Sequence, residues 1–356
     1  VSQNPHPSGG AFINRVAGAH PPHQVHQLFV DWATEQIADR RTARLFARMA
    51  ERSGIDTRWS VLGGEQYLRE DGIAFYGRDA ANPTGERMEV YAREAPGLAL
   101  EAVAALGPLG EISHIVVASC TGFVAPGIDQ LVARALGLPS SVERVLIGYM
   151  GCYAGITALR TARHIVRSQP EARVLVVAVE LCTLHLRPVD DIEKLLAMLQ
   201  FGDGAAAAIV SAEPAGLELT EPVSMTLPES HDLITWLIGD QGFAMHLSGE
   251  VPGRIAQALA DPLVRERVAG PVPPDSWAVH PGGRSILDAV ARGLDLAETA
   301  LDPSRAVLAQ CGNMSSATVL FVLGRIMAGG ATIANGRALA FGPGLAVEGL
   351  GYRSAP

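Results

Sequence analysis

The chain has 356 residues, 48% of them hydrophobic and 18% charged, and a formal net charge of −9. That length suits roughly two domains of about 150 residues or one large duplicated fold, and the composition excludes a disordered chain. The negative total argues against a nucleic-acid interface, because phosphate backbones are held by a basic surplus.

Residues 1–20 read as an extended arm, in a stretch to His26 with no charged-then-apolar leader pattern. Asp31 to Arg52 is patterned as a helix, with Ala, Leu, Phe and Met recurring at threes and fours. Gly85 to Leu106 has the same character. Short apolar runs of strand length follow, each leading into a turn and a helical stretch. His114–Ser119 leads into Thr121-Gly122 and Pro126-Gly127. Arg144–Tyr149 leads into Gly151-Cys152-Tyr153-Ala154-Gly155 and a helix to about Ser168. Ala172–Glu180 is the most strand-like segment, and Ala205–Val210 follows Phe201-Gly202-Asp203-Gly204. This alternation indicates an α/β sandwich.

The second part of the chain repeats the theme. A helix-like stretch, Gly249–Ala260, precedes the strand-like Ser276–His280, and a helix follows through Asp288 to about Leu294. The β-like run Ala306–Gln310 leads into Gly312-Asn313 and a helix through Arg325. Ala338–Phe341 is followed by Gly342-Pro343-Gly344 and the apolar run Leu345–Tyr352. Phe-Gly-x-Gly therefore precedes a buried strand twice, at Phe201 and at Phe341, which suggests two similar halves. The chain divides into the arm 1–20, a first half 21–212 and a second half 213–356. No run of about 18 apolar residues marks a membrane span.

The cysteines are Cys120, Cys152, Cys182 and Cys311. They form no CxxC pair or metal spacing, and so apolar a chain needs no disulfide framework, which fits a reducing cytoplasm. Cys152 stands at a strand-to-helix turn, where unpaired N–H groups and the helix dipole would lower its pKa toward thiolate. His280, in His280-Pro281-Gly282-Gly283, and Asn313, in Gly312-Asn313-Met314-Ser315-Ser316-Ala317, occupy turns of the same kind. In open α/β sheets such turns converge on one crevice. A Cys paired with a His is an activated nucleophile. Imidazole and carboxamide N–H groups can both aim at a thioester oxygen. Taken singly, each residue has an ordinary explanation: a buried structural Cys, a hydrogen-bonded core His, a helix-capping Asn.

On these motifs the chain resembles the type III polyketide synthases, the chalcone-synthase-like branch of the thiolase fold, from about Pro21 to the C-terminus. The resemblance implies an αβαβα five-layered sandwich and a homodimer. It places the nucleophile on Cys152 and its decarboxylation and oxyanion partners on His280 and Asn313. Phe201 matches the gatekeeping aromatic between CoA tunnel and cavity; on its own it reads equally as core packing. The implied reaction loads an acyl group from CoA onto Cys152 and extends it with malonyl-CoA. The poly-β-keto chain is then cyclised in the same cavity. No carrier protein is required, and no metal or redox cofactor enters.

Arg48 and Arg52 match CoA-contacting basic positions and face one way at i and i+4, as would an ordinary solvated basic face. A third such position is Leu45 here. Cys120, Ala125, Cys182, His185, Trp236, Met245 and Ser315 fall on substrate-pocket positions. Met245 replaces a second gatekeeping Phe, and the Ala125 position reaches into the partner subunit's cavity. Trp236 and His185 should shrink or redirect the cavity while Ala125 opens its dimer-side wall. The expected product is a small resorcinol, phloroglucinol, naphthol or pyrone. His185 is either a proton shuttle, since imidazole titrates near neutrality, or a polar wall residue. Cys120 or Cys182 could supply a second reactive thiol. Two rivals are a ketoacyl-carrier-protein synthase III, with the same fold and a Cys-His-Asn set, and a non-catalytic acyl-CoA-binding homologue.

Overall fold

The computed structural model describes residues 9–63 and 82–356. In the first half, β1 (Ala11–Ala19) and β2 (His23–Gln24) precede α1 (His26–Gln36), α2 (Arg40–Glu51) and β3 (Trp59–Ser60). Then come α3 (Thr84–Ala105), β4 (His114–Ser119), α4 (Ile128–Ala135) and β5 (Glu143–Gly148). The half closes with α5 (Ala154–Ser168), β6 (Val174–Leu181), α6 (Ile192–Gln200) and β7 (Asp203–Ser211). The second half starts at β8 (Leu217–Thr226) and the hairpin β9 (Ile234–Gly239) and β10 (Gly242–Leu247). It continues through α7 (Val251–Ala260), α8 (Pro262–Ala269), β11 (Ser276–Val279) and α9 (Arg284–Leu294). The last elements are α10 (Asp302–Cys311), α11 (Thr318–Ala328), β12 (Gly336–Gly342) and β13 (Ala346–Ser354).

The two halves repeat one topology. In the first, β1 pairs antiparallel with β7 and β7 antiparallel with β6, while β6, β4 and β5 run parallel. In the second, β8 pairs antiparallel with β13 and β13 antiparallel with β12, while β12 and β11 run parallel. A short pairing of Ala11–Ile13 with Leu217–Leu219 joins the two sheets edge to edge. The Phe-Gly-x-Gly echo thus opens equivalent strands, β7 and β13.

Alternation along buried strands sorts the core into layers. Ile115, Val117 and Leu175 face outward onto Tyr91, Ala95 and Leu98 of α3. Val116, Ala118 and Val176 face inward onto Ile156 and Leu159 of α5 and Val319 and Leu320 of α11. Those two helices are also covered from the other side by Ala338, Ala340 and Leu350. Leu339, Phe341 and Val279 look out onto Ile255 of α7 and Leu287 and Val290 of α9. The result is the five-layered αβαβα sandwich, with α5 and α11 as its middle layer.

Three sequence expectations need correction. The arm 1–20 is extended from Ala11 onward, but as β1 it lies between β7 and β8, with Ala11, Phe12 and Ile13 buried; the Pro, Gly and His around this short apolar triplet disguise it. The stretch Asp31–Arg52 is two helices, because Asp39 caps α2 by accepting from Thr42 N at 2.8 Å. Ala306–Gln310 is helical, within α10, which starts at Asp302-Pro303; a short apolar run does not distinguish the two states. Among the described residues no helix is long and apolar enough to cross a membrane.

Candidate active site

Cys152 lies between β5 and the first turn of α5, and Asn313 between α10 and the short turn Ser315–Ala317 that opens α11. Since α5 and α11 are equivalent helices, the thiol and the carboxamide sit at matching ends of the middle layer. They can meet because Gly155 has no side chain: a Cβ there would come within 2.2 Å of Ser316 O and 2.9 Å of Leu320 Cδ1. His280 follows β11 directly, as Cys120 follows its counterpart β4, and its backbone N–H donates to Leu339 O at 2.7 Å.

All three side chains line one cavity. Asn313 Nδ2 is 4.0 Å from Cys152 Sγ and donates to Gly282 O at 3.3 Å, while Asn313 Oδ1 accepts from Ser315 N at 2.8 Å. The amide is thereby oriented, N–H side toward the sulfur. His280 is 1% exposed, and neither ring nitrogen has a partner among the described residues. A buried imidazole left unpaired is costly unless something else binds it, so this ring is free to meet a ligand.

Electrostatics correct one expectation. Burial in the cavity pushes the Cys152 thiol up to about 11, outweighing hydrogen bonds from Ser315 and Asn313 that favour thiolate. Burial also lowers the His280 imidazole to about 3. At rest the cavity thus holds a neutral thiol and a neutral imidazole.

A buried carboxyl lies directly behind the site. Glu180 is the only charge in the apolar strand β6, which is the sequence signal that could have found it. Its Oε2 accepts from Cys120 N at 2.9 Å and Thr121 Oγ1 at 2.8 Å, and its Oε1 accepts from Ser316 Oγ. Burial raises it to about 7 against these three bonds. Glu180 ties the ends of β4 and β6 to the start of α11, and so links the turns that carry Cys120 and Asn313.

Of the pocket positions, Phe201, Met245, Cys120, Cys182, His185, Trp236 and Ser315 all line the cavity. Ala125 does not; it is exposed next to a cis peptide bond with Pro126, outside this chain's own cavity. His185 is not poised to move protons. Its Nε2 donates to Thr121 O at 2.6 Å, its Nδ1 accepts from Phe243 N at 3.0 Å, and burial lowers it to about 3. Its ring stacks on Phe243 at 4.2 Å and meets Trp236 edge-on at 5.5 Å. The Trp236 indole donates to Cys120 O at 3.0 Å, closing that wall. Cys120 Sγ accepts from Gly151 N at 3.0 Å, and burial raises both the Cys120 and Cys182 thiols well above the ordinary range. Both are buried, whereas Cys152 is partly exposed.

A second cleft adjoins the cavity and shares Ala197, Leu247, Val251, Gly282 and Ile286 with it. Arg52 lines this cleft and Arg48 does not, because the helix ends at Glu51 and leaves Arg48 one turn further out. Arg284, which sequence reading passed over, lines it as well, and its Nη1 donates to Arg52 O at 3.2 Å.

Two duplicated α/β halves that bring the ends of their central helices together at one cysteine form the architecture of a thiolase-like condensing enzyme. The chain belongs to the chalcone and stilbene synthase family. The model of that family's N-terminal domain matches residues 3–214, and the model of its C-terminal domain matches residues 218–356. A polyketide synthase of Mycobacterium tuberculosis, the alpha-pyrone synthesis polyketide synthase-like Pks18, is 35% identical over 345 residues, covering 92% of this chain and 84% of that protein. The C-terminal type III polyketide synthase domain of Steely1, a type I/III hybrid from Dictyostelium, superposes with a TM-score of 0.88 at 26% identity, covering 98% of this chain and 100% of that one. PKS-I from the brown alga Ectocarpus siliculosus gives a TM-score of 0.86 at 28% identity, covering 97% and 98%. The protein is an acyltransferase of the type III polyketide synthase class.

Proposed function

We propose that Cys152 accepts an acyl group from a CoA thioester and that His280 and Asn313 act on malonyl-CoA in the same cavity. The thiol attacks the acyl carbonyl, the bond from carbon to the CoA sulfur breaks, and the thiol proton ends on the departing CoA. Malonyl-CoA then loses CO₂, and its enolate oxygen is held by N–H groups of His280 and Asn313, each worth about 3–4 kcal/mol in such sites. The enolate carbon attacks the acyl-Cys152 carbonyl and expels the sulfur, and the product is a β-keto chain two carbons longer. Phe201 separates the CoA cleft from the cavity, and Arg52 meets CoA phosphate at the outer end. The observation that carries this reading is the oriented Asn313 amide 4.0 Å from Cys152 Sγ, with the unpartnered imidazole of His280 on the same cavity wall.

Repetition and ring closure give a small aromatic or pyrone, and the α-pyrone is favoured by the name of the mycobacterial relative. The enzyme needs no carrier protein, metal or redox cofactor and works as a cytoplasmic homodimer. Strand β5 supports the dimer: it is the last strand of the sheet among the described residues and exposes Val145 and Leu146, and Phe123, Leu237 and Ile238 are exposed as well.

The test is mass spectrometry of products from malonyl-CoA with a panel of acyl-CoA starters. Pyrone or resorcinol-type products that vanish in Cys152→Ala support the reading; undiminished turnover in that variant overturns it.

A further inference from the structure

Helix α2 carries a concentration of positive charge that a single CoA does not use. Arg40, Arg44, Arg48 and Arg52 recur every four residues and so form one row along the helix. Arg41 begins the neighbouring row, which continues with Leu45 and Met49. All seven are exposed, and the two apolar ones are each 43% exposed. None of the five arginines has a carboxylate ion-pair partner among the described residues. This lies on a chain whose formal net charge is −9. The patch ends at the mouth of the outer cleft, which Met49 and Arg52 line.

Charge and distance together indicate what covers it. From Arg52 to Arg40 the helix rises roughly 18 Å, at about 1.5 Å per residue. A nucleotide seated at Arg52 lies at one end of that row and leaves the other end uncovered. An acidic surface with a few apolar side chains matches the whole patch: charges steer and register it, and Leu45 and Met49 supply contact area. The cleft below leads to Cys152 and suits a pantetheine arm, whether the phosphate at its outer end belongs to CoA or to a protein serine.

We propose that α2 docks an acidic acyl carrier protein, which delivers a starter through its phosphopantetheine arm as an alternative to acyl-CoA. This rests on the reading of Cys152 as acyl acceptor. Cys152 Sγ bonds to the acyl carbon, the carbon bond to the pantetheine sulfur breaks, and the thiol proton passes to the departing pantetheine thiol.

Two measurements on the full chain test the proposal. Fluorescence anisotropy follows binding of a labelled octanoyl carrier protein from a dissociated fatty acid synthase. Intact mass follows octanoyl transfer to Cys152 from that carrier and from octanoyl-CoA. Carrier binding should weaken steeply as salt rises and the screening length shrinks. The double variant Arg40→Glu/Arg44→Glu, at exposed sites remote from the cleft, should lower transfer from the carrier at least about tenfold more than transfer from octanoyl-CoA. Absence of carrier binding overturns the proposal, as does equal loss with both donors, which would make the patch a nucleotide site. Binding of phosphatidylserine vesicles in place of the carrier also overturns it. Failure of both donors to acylate Cys152 would count against the reading of the active site, while anisotropy would still decide the docking.

Discussion

Phe201 and Asn313, from opposite halves of the molecule, are joined by a parallel backbone bridge. Asn313 N donates to Gln200 O at 2.7 Å, and Gly202 N donates to Asn313 O at 3.0 Å. Arg58, whose guanidinium lies 4.7 Å from the Phe29 ring centre, also donates to Phe201 O. The Phe201 aromatic that lines the cavity and the amide beside the sulfur therefore occupy one backbone unit. A shift of either carries the other with it.

Gly312 makes that bridge possible. Its φ is +66°, and a Cβ there would come within 2.8 Å of Gln200 O and 2.9 Å of Arg58 Cγ. Asn313→Ala should slow malonyl-CoA decarboxylation about 10²–10³-fold by removing one oxyanion donor. Gly312→Ala should slow it in the same direction and also lower thermal stability, because strain at a left-handed position adds to the clash. Decarboxylation rates and melting curves decide the matter; a fully active Gly312→Ala would show that the bridge does not hold the amide in place.

The neutral thiol and imidazole predict a pH dependence. With the Cys152 thiol raised and the His280 imidazole lowered, the reactive thiolate is scarce at neutrality and grows about tenfold per pH unit. Iodoacetamide labelling of Cys152 should climb steadily from pH 7 to 9. A plateau already reached below pH 7 would instead reveal a thiolate–imidazolium ion pair.

The motif turns were readable in the sequence because each needs particular residue types: Gly where chains approach closely, and Cys, His or Asn at the end that faces the cavity. Strands β4, β6, β7 and β12 were readable because burial on both faces makes them continuous apolar runs. The β9–β10 hairpin was not, since Trp236 and Met245 face the cavity while Leu237 and Ile238 face outward, which leaves no one-sided pattern. The partners of His185 and Glu180 are largely backbone groups and hydroxyls set by tertiary structure. Nothing local to either residue announces them.

Glu180 should make stability depend on pH in an identifiable direction. Its folded pKa, about 7, lies above the ordinary 4.5 of a solvated glutamate, so its contribution is fully present below the lower value and lost as pH rises through 7. The amount is on the order of 3 kcal/mol. Burial lowers His26, His185 and His280, so they work the other way, losing stability as pH falls below 6.5. Glu180→Gln isolates the carboxyl. It should flatten the loss between pH 5 and 8, because an amide of the same shape carries no charge to desolvate at any pH. Parallel wild-type and variant profiles in denaturant unfolding would refute this account of Glu180.

His185 tests whether a cavity imidazole performs chemistry or holds a wall. Both nitrogens are committed to backbone groups, so His185→Gln should leave the pH profile of product formation unchanged. Stability should fall by about 1–3 kcal/mol for the lost pairing. Trp236→Ala removes the indole that closes the same wall and should shift products toward longer chains or larger starters, read by mass spectrometry. Loss of one limb of the pH profile in His185→Gln would restore the proton-shuttle reading.

The proposed dimer follows from the far edge of the sheet. Among the described residues strand β5 pairs with β4 on one side only, and Val145 and Leu146 are 39% and 45% exposed. An exposed apolar edge strand is a pairing hazard unless something covers it, and a second copy supplies both the hydrogen bonds and the apolar contact. Leu146→Glu places a charge at the middle of that contact, and like charges would face each other across a two-fold axis. Sedimentation should find the wild type dimeric and the variant shifted toward monomer, with both folded by circular dichroism. Ala125, exposed near this edge, stands where a partner's cavity would be closed, so the monomeric variant should also change its product pattern. A wild type that sediments as a monomer at micromolar concentration would leave the β5 edge without a partner and rule out this route between subunits.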